Sequence, residues 1–200
     1  MSDDGLSPGS PFCRPTFTGP LDLEERLGRA PSDGQVKGMF FRGIAEESSR
    51  LAGERVGRER YVLFRGYPLR EWLEFMPAAA RAAYPHVDPR EGMRRFGHGA
   101  FGVFLKSTAG RVLFSMAGQN PGIAVGLTGR AFEMIGSHGR VEMLENEQGR
   151  AILAFEEMYD WVEAWHVGII EGALRAFGAS GEVRAKMHDI ANGQLEVHYE

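Results

Sequence analysis

The segment 139-GRVEMLENEQGRAILAFEEMYDWVEAWHVGIIEGALRAFG-178 changes the spacing of its apolar residues partway along, and this change decides the predicted fold. Over 139–158, apolar and polar residues alternate on both sides of the polar turn 146-NEQG-149, which is typical of a β-hairpin. Over 159–178, apolar residues recur at steps of three and four, which indicates a helix with one apolar face. The segment therefore predicts a hairpin followed by a helix.

The end of the chain returns to alternation. Apolar residues alternate with polar ones in 182-EVRAKMHDI-190 and 193-GQLEVHYE-200, and Asn192-Gly193 between them is a strong signal for a tight hairpin turn. Upstream, a short helix is predicted at 21–30, and longer ones at 36–53, 68–85, 89–110 and 120–136. The order predicts an α+β fold, with N-terminal helices, then hairpin–helix–hairpin, and a four-stranded antiparallel sheet covered by helices.

Length and composition indicate one globular domain. The chain has 200 residues, of which 43% are hydrophobic and 25% charged. Residues 1–20 carry four of the ten prolines and predict a flexible arm, and residues 21–200 predict a single α+β domain. The net charge of −4 argues against a general nucleic-acid-binding protein, which needs a basic face. No targeting signal and no run of about 18 apolar residues is present, so a cytoplasmic location without a membrane span is expected.

The histidine and cysteine content limits the metal chemistry. Cys13 is the only cysteine, which excludes an internal disulfide and a cysteine-based metal site. His166 falls on the apolar stripe of the predicted helix and is expected to point inward. An imidazole there can bind iron or zinc, but a core or interface histidine bonded to a carbonyl is the preferred interpretation, because buried polar groups usually have such partners. His98, His138 and His188 are companions by residue type alone, and no metal site is predicted.

Small residues at four-residue spacing form a ridge on the same helix. They predict a surface of close packing against a neighbouring helix, a partner subunit or a flat ligand, because glycine inside a helix costs about 1 kcal/mol relative to alanine. The predicted interface residues are Ala164, Gly168, Gly172 and Ala176. In 97-GHGAFG-102, the glycines are likewise interpreted as a thin helix face, since no strand precedes them as a phosphate loop requires.

Motifs of the common enzyme classes are missing. The sequence has no nucleophile elbow, zinc-protease pair or phosphate-binding loop. The acidic run 156-EEMYD-160 is interpreted as a solvated turn. No catalytic residue is predicted, and a non-enzymatic protein is preferred over an enzyme of unknown class.

Two resemblances accompany this pattern. The residues 36-VKGMFFRG-43, 66-GYPLREWL-73 and 168-GIIEGALRAFGA-179 resemble a paralogous family of uncharacterised myxobacterial proteins of about this length, which carries no established activity. Residues 139–200 resemble the last part of the ligand-binding fold shared by heme–nitric-oxide sensor domains, 4-vinyl-reductase-type domains and Bet3-like transport-particle subunits.

The heme-sensor resemblance implies a heme ligated by histidine, with His166 or His98 as the ligand. The tyrosine–serine–arginine signature that holds the heme propionates in those sensors is not found, since Tyr61 and Arg65 have the wrong spacing. The zinc-binding cysteines of some vinyl-reductase-type domains are absent too. These departures argue against heme, and no cofactor is expected.

The combined prediction is a cytoplasmic binding or signalling domain, present as a homodimer, for a small apolar ligand or a protein partner. The motivation is the density of Phe, Met, Gly and Ala in the predicted helix that begins at residue 89 and in the one over 159–178. Helix faces rich in these residues line cavities or interfaces. A heme or tetrapyrrole sensor and a structural adaptor without a ligand are the alternatives. The predicted ligand-binding residues are Trp165, His166, Ile169, Phe101 and Phe104.

Overall fold

A computed structural model describes residues 12–118 and 120–200. The first half is helical, apart from two short strands. Its elements are α1 (Leu23–Arg29), β1 (Gln35–Lys37), α2 (Gly38–Ala52), β2 (Gly66–Pro68), α3 (Leu69–Ala83), α4 (Pro89–Lys106), α5 (Thr108–Ser115), α6 (Pro121–Gly126) and α7 (Thr128–Ile135). The second half contains β3 (Arg140–Glu147), β4 (Arg150–Glu156), a π-helical turn (Val162–His166), α8 (Val167–Ala176), β5 (Gly181–Met187) and β6 (Gly193–Tyr199).

The four-stranded antiparallel sheet confirms the predicted fold class. Its strand order is β3-β4-β6-β5, so each predicted hairpin forms and the two hairpins meet through β4 and β6. The inward faces follow the predicted alternation, and Leu153, Leu195 and Val197 are fully buried. A small sheet formed by β1 and β2 was not predicted, because three-residue strands are too short to show alternation.

Two of the predicted helices are interrupted. The predicted helix 89–110 ends at Lys106, because Ser107 has an extended backbone (φ −71°, ψ 155°) and its hydroxyl accepts a hydrogen bond from the Gly110 N–H, which starts α5. The predicted helix 120–136 divides at Leu127 into α6 and α7. Its predicted cap is confirmed, since Asn120 Oδ1 accepts a hydrogen bond from the Ile123 N–H at 3.2 Å.

Helix α8 lies between the helical layer and the sheet. Ile169 and Ala173 pack with the apolar residues of the N-terminal helices, whereas Ile170 and Leu174 pack with those of the sheet. Burial on both sides explains why its sequence is apolar nearly all round.

The glycines of α8 allow α4 to cross it closely. A Cβ atom at Gly168 would overlap the carbonyl oxygen of Arg94, and one at Gly172 would lie 2.5 Å from the carbonyl oxygen of His98. Of the other predicted interface residues, Ala164 is buried and Ala176 is exposed. The middle of the ridge therefore packs within the chain, against α4.

The predicted arm, residues 1–20, lies only partly within the described residues, since 1–11 fall outside them. From residue 12 the chain runs beside β5, where the backbones of Cys13 and Ala185 exchange two hydrogen bonds of 3.0 and 2.8 Å. The Cys13 thiol is exposed. Within the described ranges, none of the helices has both the length and the apolar character that crossing a membrane requires.

Candidate functional site

A strained turn leads from β4 into α8. Trp161 adopts a left-handed backbone conformation (φ 56°, ψ 70°) that side-chain-bearing residues rarely occupy, and the π-helical turn follows directly. Conformations of this kind cost about 1–3 kcal/mol and persist where the surrounding structure holds them. The Arg26 guanidinium provides such support, because it donates hydrogen bonds to the carbonyl oxygens of Tyr159 and Ile190 and lies 5.0 Å from the centre of the Trp161 ring.

This turn brings a buried acid and a buried histidine together. Asp160 is 4% exposed and His166 is 1% exposed. His166 Nε2 lies 2.7 Å from Asp160 Oδ1, and Trp72 Nε1 donates a 3.2 Å hydrogen bond to Oδ2. Because an ionised carboxylate only accepts hydrogen bonds, His166 Nε2 is the donor. Both oxygens of the acid are therefore engaged.

The pKa of the Asp160 carboxyl is held well below its ordinary value. Burial by itself would raise this pKa, but the attraction of His166 and His138 outweighs the burial. The ionised form of this buried carboxyl is thus the stable one.

A second buried histidine faces the same carboxylate without bonding to it. His138 follows α7, its side chain is 4% exposed, and its Nε2 lies 3.9 Å from Asp160 Oδ1, which is too far for a hydrogen bond. Neither ring nitrogen of His138 has a hydrogen-bond partner among the described residues. A buried polar group left in this state costs about 1–3 kcal/mol, so it is a place where a further partner would stabilise the protein.

Two small cavities lie between the helices. The apolar cavity is bounded by α2, α4, α7 and α8, and its walls include Phe101 and Phe104. The polar cavity adjoins it and includes Trp72, His138 and Asp160 in its walls. Each cavity has a volume of about 30 Å³, which is room for about one or two water molecules. Four residues are shared by the two walls: Phe40, Phe132, Ile135 and Ile169.

Two short helices, α5 and α7, cover part of the apolar cavity, and together with α6, which lies between them in the chain, they are called the flap. Phe114 of α5 and Thr128 and Ala131 of α7 supply part of the cavity wall. Few flap residues are buried, whereas Val112 and Met116 on its outer side are 67% and 60% exposed. A few apolar side chains hold the flap to the domain, among them the buried Leu113 and Phe114 and the partly buried Phe132 and Ile135.

The predicted ligand-binding residues fall into two groups. Phe101 and Phe104 line the apolar cavity, Trp165 lines the polar cavity and Ile169 lines both. His166 lines neither cavity. It packs against Phe132, at 4.9 Å between ring centroids, and against Phe155, at 5.2 Å, and it contacts the wall of the polar cavity through Phe132 and Asp160.

The roles of two residues of the site, Asp160 and His138, do not follow from the sequence pattern. The sequence predicts a solvated turn at Asp160, and this prediction is wrong, since the carboxylate is enclosed by the π-helical turn and by Trp72, 88 residues away in the chain. His138 had been singled out by residue type alone. No local pattern marks either of them, because their positions depend on contacts between distant elements.

Comparisons with known proteins identify relatives of this fold. Residues 29–199 match the model of a family described as "Protein of unknown function (DUF2378)". Among solved structures, the Fe(II) unliganded H-NOX protein from K. algicida superposes with a TM-score of 0.60 at 12% identity, covering 82% of this chain and 96% of that one. No curated protein matches the sequence.

The same fold recurs in structures of H-NOX proteins with bound gases. An H-NOX protein from S. oneidensis in the Fe(II)NO state gives a TM-score of 0.61 at 12% identity, covering 82% of this chain and 99% of that one. The H-NOX domain from Shewanella oneidensis in the Fe(II)CO state gives 0.57 at 11% identity, with 82% and 98% covered. At these identities the likeness is one of fold.

Heme, the cofactor that the sequence resemblance implies, does not fit the arrangement of the side chains. Imidazole is a suitable iron ligand, and His138 and His166 lie close to the cavities, but Asp160 engages His166 Nε2. No described residue in the walls of the two cavities is an Arg or Lys that could pair with the propionates. Nor do three His, Cys, Asp or Glu side chains within the described residues converge as a metal site.

Proposed function

The chain belongs to the DUF2378 family, and we propose that this member is a non-enzymatic ligand-binding domain for a small, mainly apolar molecule. The observation that carries the proposal is the apolar cavity enclosed by α2, α4, α8 and the flap. Its walls are aromatic and aliphatic side chains, with Thr128 as the one polar residue among the described residues that line it. Concave apolar sites with few polar groups are typical of small-molecule binding.

Binding would require the flap to move. A molecule with a ring occupies more space than the water-sized room in the cavity, so the flap moves outward to admit it. The thin packing of α6 and α7, which bury two residues each, supports such a movement. Fold likeness supports an internal ligand site as well, because the solved relatives include an Fe(II)NO form.

The exposed outer side of the flap favours a second function. Val112, Met116 and Met134 form an apolar surface with Phe64, which is 63% exposed. Clusters of exposed apolar side chains mark protein–protein contacts. An adaptor that binds a protein partner without an internal ligand is therefore the alternative, and the cavity experiments below separate the two.

Native mass spectrometry of freshly purified protein is the first test. We expect the protein to carry an additional mass of a small organic molecule, and to stay colourless when hemin is added. A protein that carries the mass of heme would replace this proposal with the tetrapyrrole sensor. A ligand-free protein would favour the adaptor.

Filling the cavity provides a test with a defined probe. Benzene binding, followed by NMR chemical shifts of the cavity methyl groups, is expected to be lost in Ala131→Leu, because the larger side chain occupies the apolar cavity. Ala176→Leu is the matched control, since Ala176 is exposed on α8. Equal benzene binding by both variants would contradict the proposal.

Further parts of the proposal rest on the sequence. They are the homodimer, the signalling role, the cytoplasmic location and the origin in myxobacteria. The same native mass spectrum tests the dimer, which should persist on dilution to concentrations below about 1 μM if its interface reaches the size of a stable one.

A further inference from the structure

The polar cavity contains a buried histidine without a bonding partner. His138 is enclosed, and both of its ring nitrogens lack hydrogen bonds to any described residue. Its side chain forms part of the cavity wall, next to Asp160. Buried polar groups in proteins are rarely left unpaired, so a water or a ligand is the expected partner of this ring.

The carboxylate beside it determines which nitrogen is available. Nε2 is the ring nitrogen nearest to Asp160, at 3.9 Å, so the negative charge favours the tautomer with its hydrogen on Nε2. Nδ1 then carries the lone pair and accepts hydrogen bonds. The group that binds His138 from the cavity is therefore a donor, such as a hydroxyl.

Charge excludes an acidic ligand group at this position. The Asp160 carboxylate already places a negative charge at the wall of the polar cavity. No Arg or Lys is present among the described residues that line the two cavities, so an acidic ligand group would face Asp160 without an arginine or lysine partner. Unpaired charges in a desolvated site are strongly unfavourable.

The two cavities adjoin along a shared wall. Phe40, Phe132 and Ile169 each contribute to both of them. A ligand whose apolar part fills the apolar cavity can therefore extend its other end toward His138 when these side chains move apart. The combination is an apolar site with one hydrogen-bonding position at its end, which is the usual way in which such sites set ligand orientation.

From this geometry we infer that the ligand is a neutral molecule with an apolar body and a hydroxyl group, and that His138 Nδ1 accepts a hydrogen bond from that hydroxyl. The inference rests on the proposed function and adds the class of ligand to it. Asp160 is a positioning residue, because its charge favours the His138 tautomer in which Nδ1 is the acceptor, and it does not itself receive the hydroxyl. Fatty acids and other carboxylates are excluded from the ligand class.

Three ring compounds that differ in one substituent test the ligand class. Benzene, phenol and benzoate are titrated into the full-length protein by NMR. Phenol is expected to bind about 10-fold more tightly than benzene, which corresponds to one net hydrogen bond, and benzoate is expected not to bind. Benzene binding without a preference for phenol overturns the hydroxyl site and leaves the proposed function intact. Failure of all three to bind overturns both.

Variants of His138 test the residue. His138→Leu should abolish the preference for phenol and retain benzene binding, whereas His138→Asn keeps a hydrogen-bond acceptor and should retain part of the preference. The leucine variant is also expected to be at least as stable as the wild type, because it removes an unsatisfied buried polar group. A leucine variant that is strongly destabilised and still prefers phenol would show that His138 is structural.

The imidazole nitrogens give a readout that is independent of affinity. In protein labelled with nitrogen-15 at histidine, phenol should shift the Nδ1 resonance of His138 and leave that of exposed His188 unchanged. Benzene should shift neither. A phenol complex in which the His138 nitrogens do not respond would contradict the assignment, since a water molecule would then be the partner of this ring.

Discussion

Asp160 and His166 lie six residues apart and bond side chain to side chain, with 2.7 Å between His166 Nε2 and Asp160 Oδ1. A regular helix would place residues six apart on different faces. The left-handed conformation of Trp161 and the π-helical turn change the path of the chain, so both side chains point into the same interior. The strained backbone and the buried pair are thus parts of one arrangement.

Removing the acid of this pair should destabilise the protein strongly. In Asp160→Leu, the His166 Nε2–H and the Trp72 indole N–H lose their acceptor while remaining buried. We expect a loss of about 3–5 kcal/mol in the free energy of unfolding, measured with urea. Asp33→Asn, at an exposed site, is the control and should change stability by less than about 0.5 kcal/mol. Similar losses in both variants would show that the buried Asp160–His166 pair contributes no more to stability than an exposed acid does.

The lowered pKa of Asp160 also predicts how the stability of the protein changes at low pH. The folded-state pKa of Asp160 lies below its unfolded value, so the stability it contributes is present above about pH 4 and is lost as the pH falls toward the folded pKa. The difference in unfolding free energy between wild type and Asp160→Asn should therefore narrow as the solution is acidified. Urea unfolding at a series of pH values measures this difference in free energy. A difference that grows in acid would contradict a lowered pKa for Asp160 in the folded protein.

Arg26 should hold the strained turn in place. Its buried guanidinium bonds to two carbonyl oxygens of the second half of the chain and lies 3.2 Å from Glu163 Oε1. Arg26→Met removes the donor of the two carbonyl oxygens, whereas Glu163 keeps Arg90 at 3.3 Å, and a loss of about 3 kcal/mol is expected.

A neighbouring arginine in α1 supplies the control for this substitution. Arg29 pairs with Glu25 on the exposed side of the same helix, so Arg29→Met should cost no more than about 0.5 kcal/mol. Amide hydrogen exchange should also speed up over 157–166 in Arg26→Met and not in Arg29→Met. Unchanged exchange there would mean that the turn is stable without Arg26.

The sequence could predict elements whose pattern is local. Both hairpins follow from alternation, and Leu153 and Leu195 point inward as the period of two requires. The break at Ser107 was missed even though Ser107 is a good N-cap residue, because the apolar pattern continues through it. The strands β1 and β2 are paired across α2 and the loop that follows it, and no local signal shows that pairing.

The candidate site was predictable only where it belongs to a helix stripe. Phe101, Phe104 and Ile169 line the apolar cavity, and their helical spacing marked them as inward-facing. Asp160 and His138 could not be found in this way, because one depends on the unusual backbone at Trp161 and the other on the packing of α7 beside β3. Polar residues at the end of an apolar pattern look the same in sequence whether they are buried or solvated.

Two glycines at the α4–α8 region should respond oppositely to the same substitution. In Gly172→Ala the new Cβ atom would lie 2.5 Å from the carbonyl oxygen of His98, a backbone atom that can move only if the helices separate, so a loss of about 1–3 kcal/mol is expected. In Gly99→Ala the new Cβ atom meets nothing within 4 Å in the part of the chain that the structure describes. That variant should be about 0.5–1 kcal/mol more stable, because alanine favours the helix interior. Thermal unfolding of both variants measures the difference, and a stabilised Gly172→Ala would mean that α4 and α8 do not cross as closely as described.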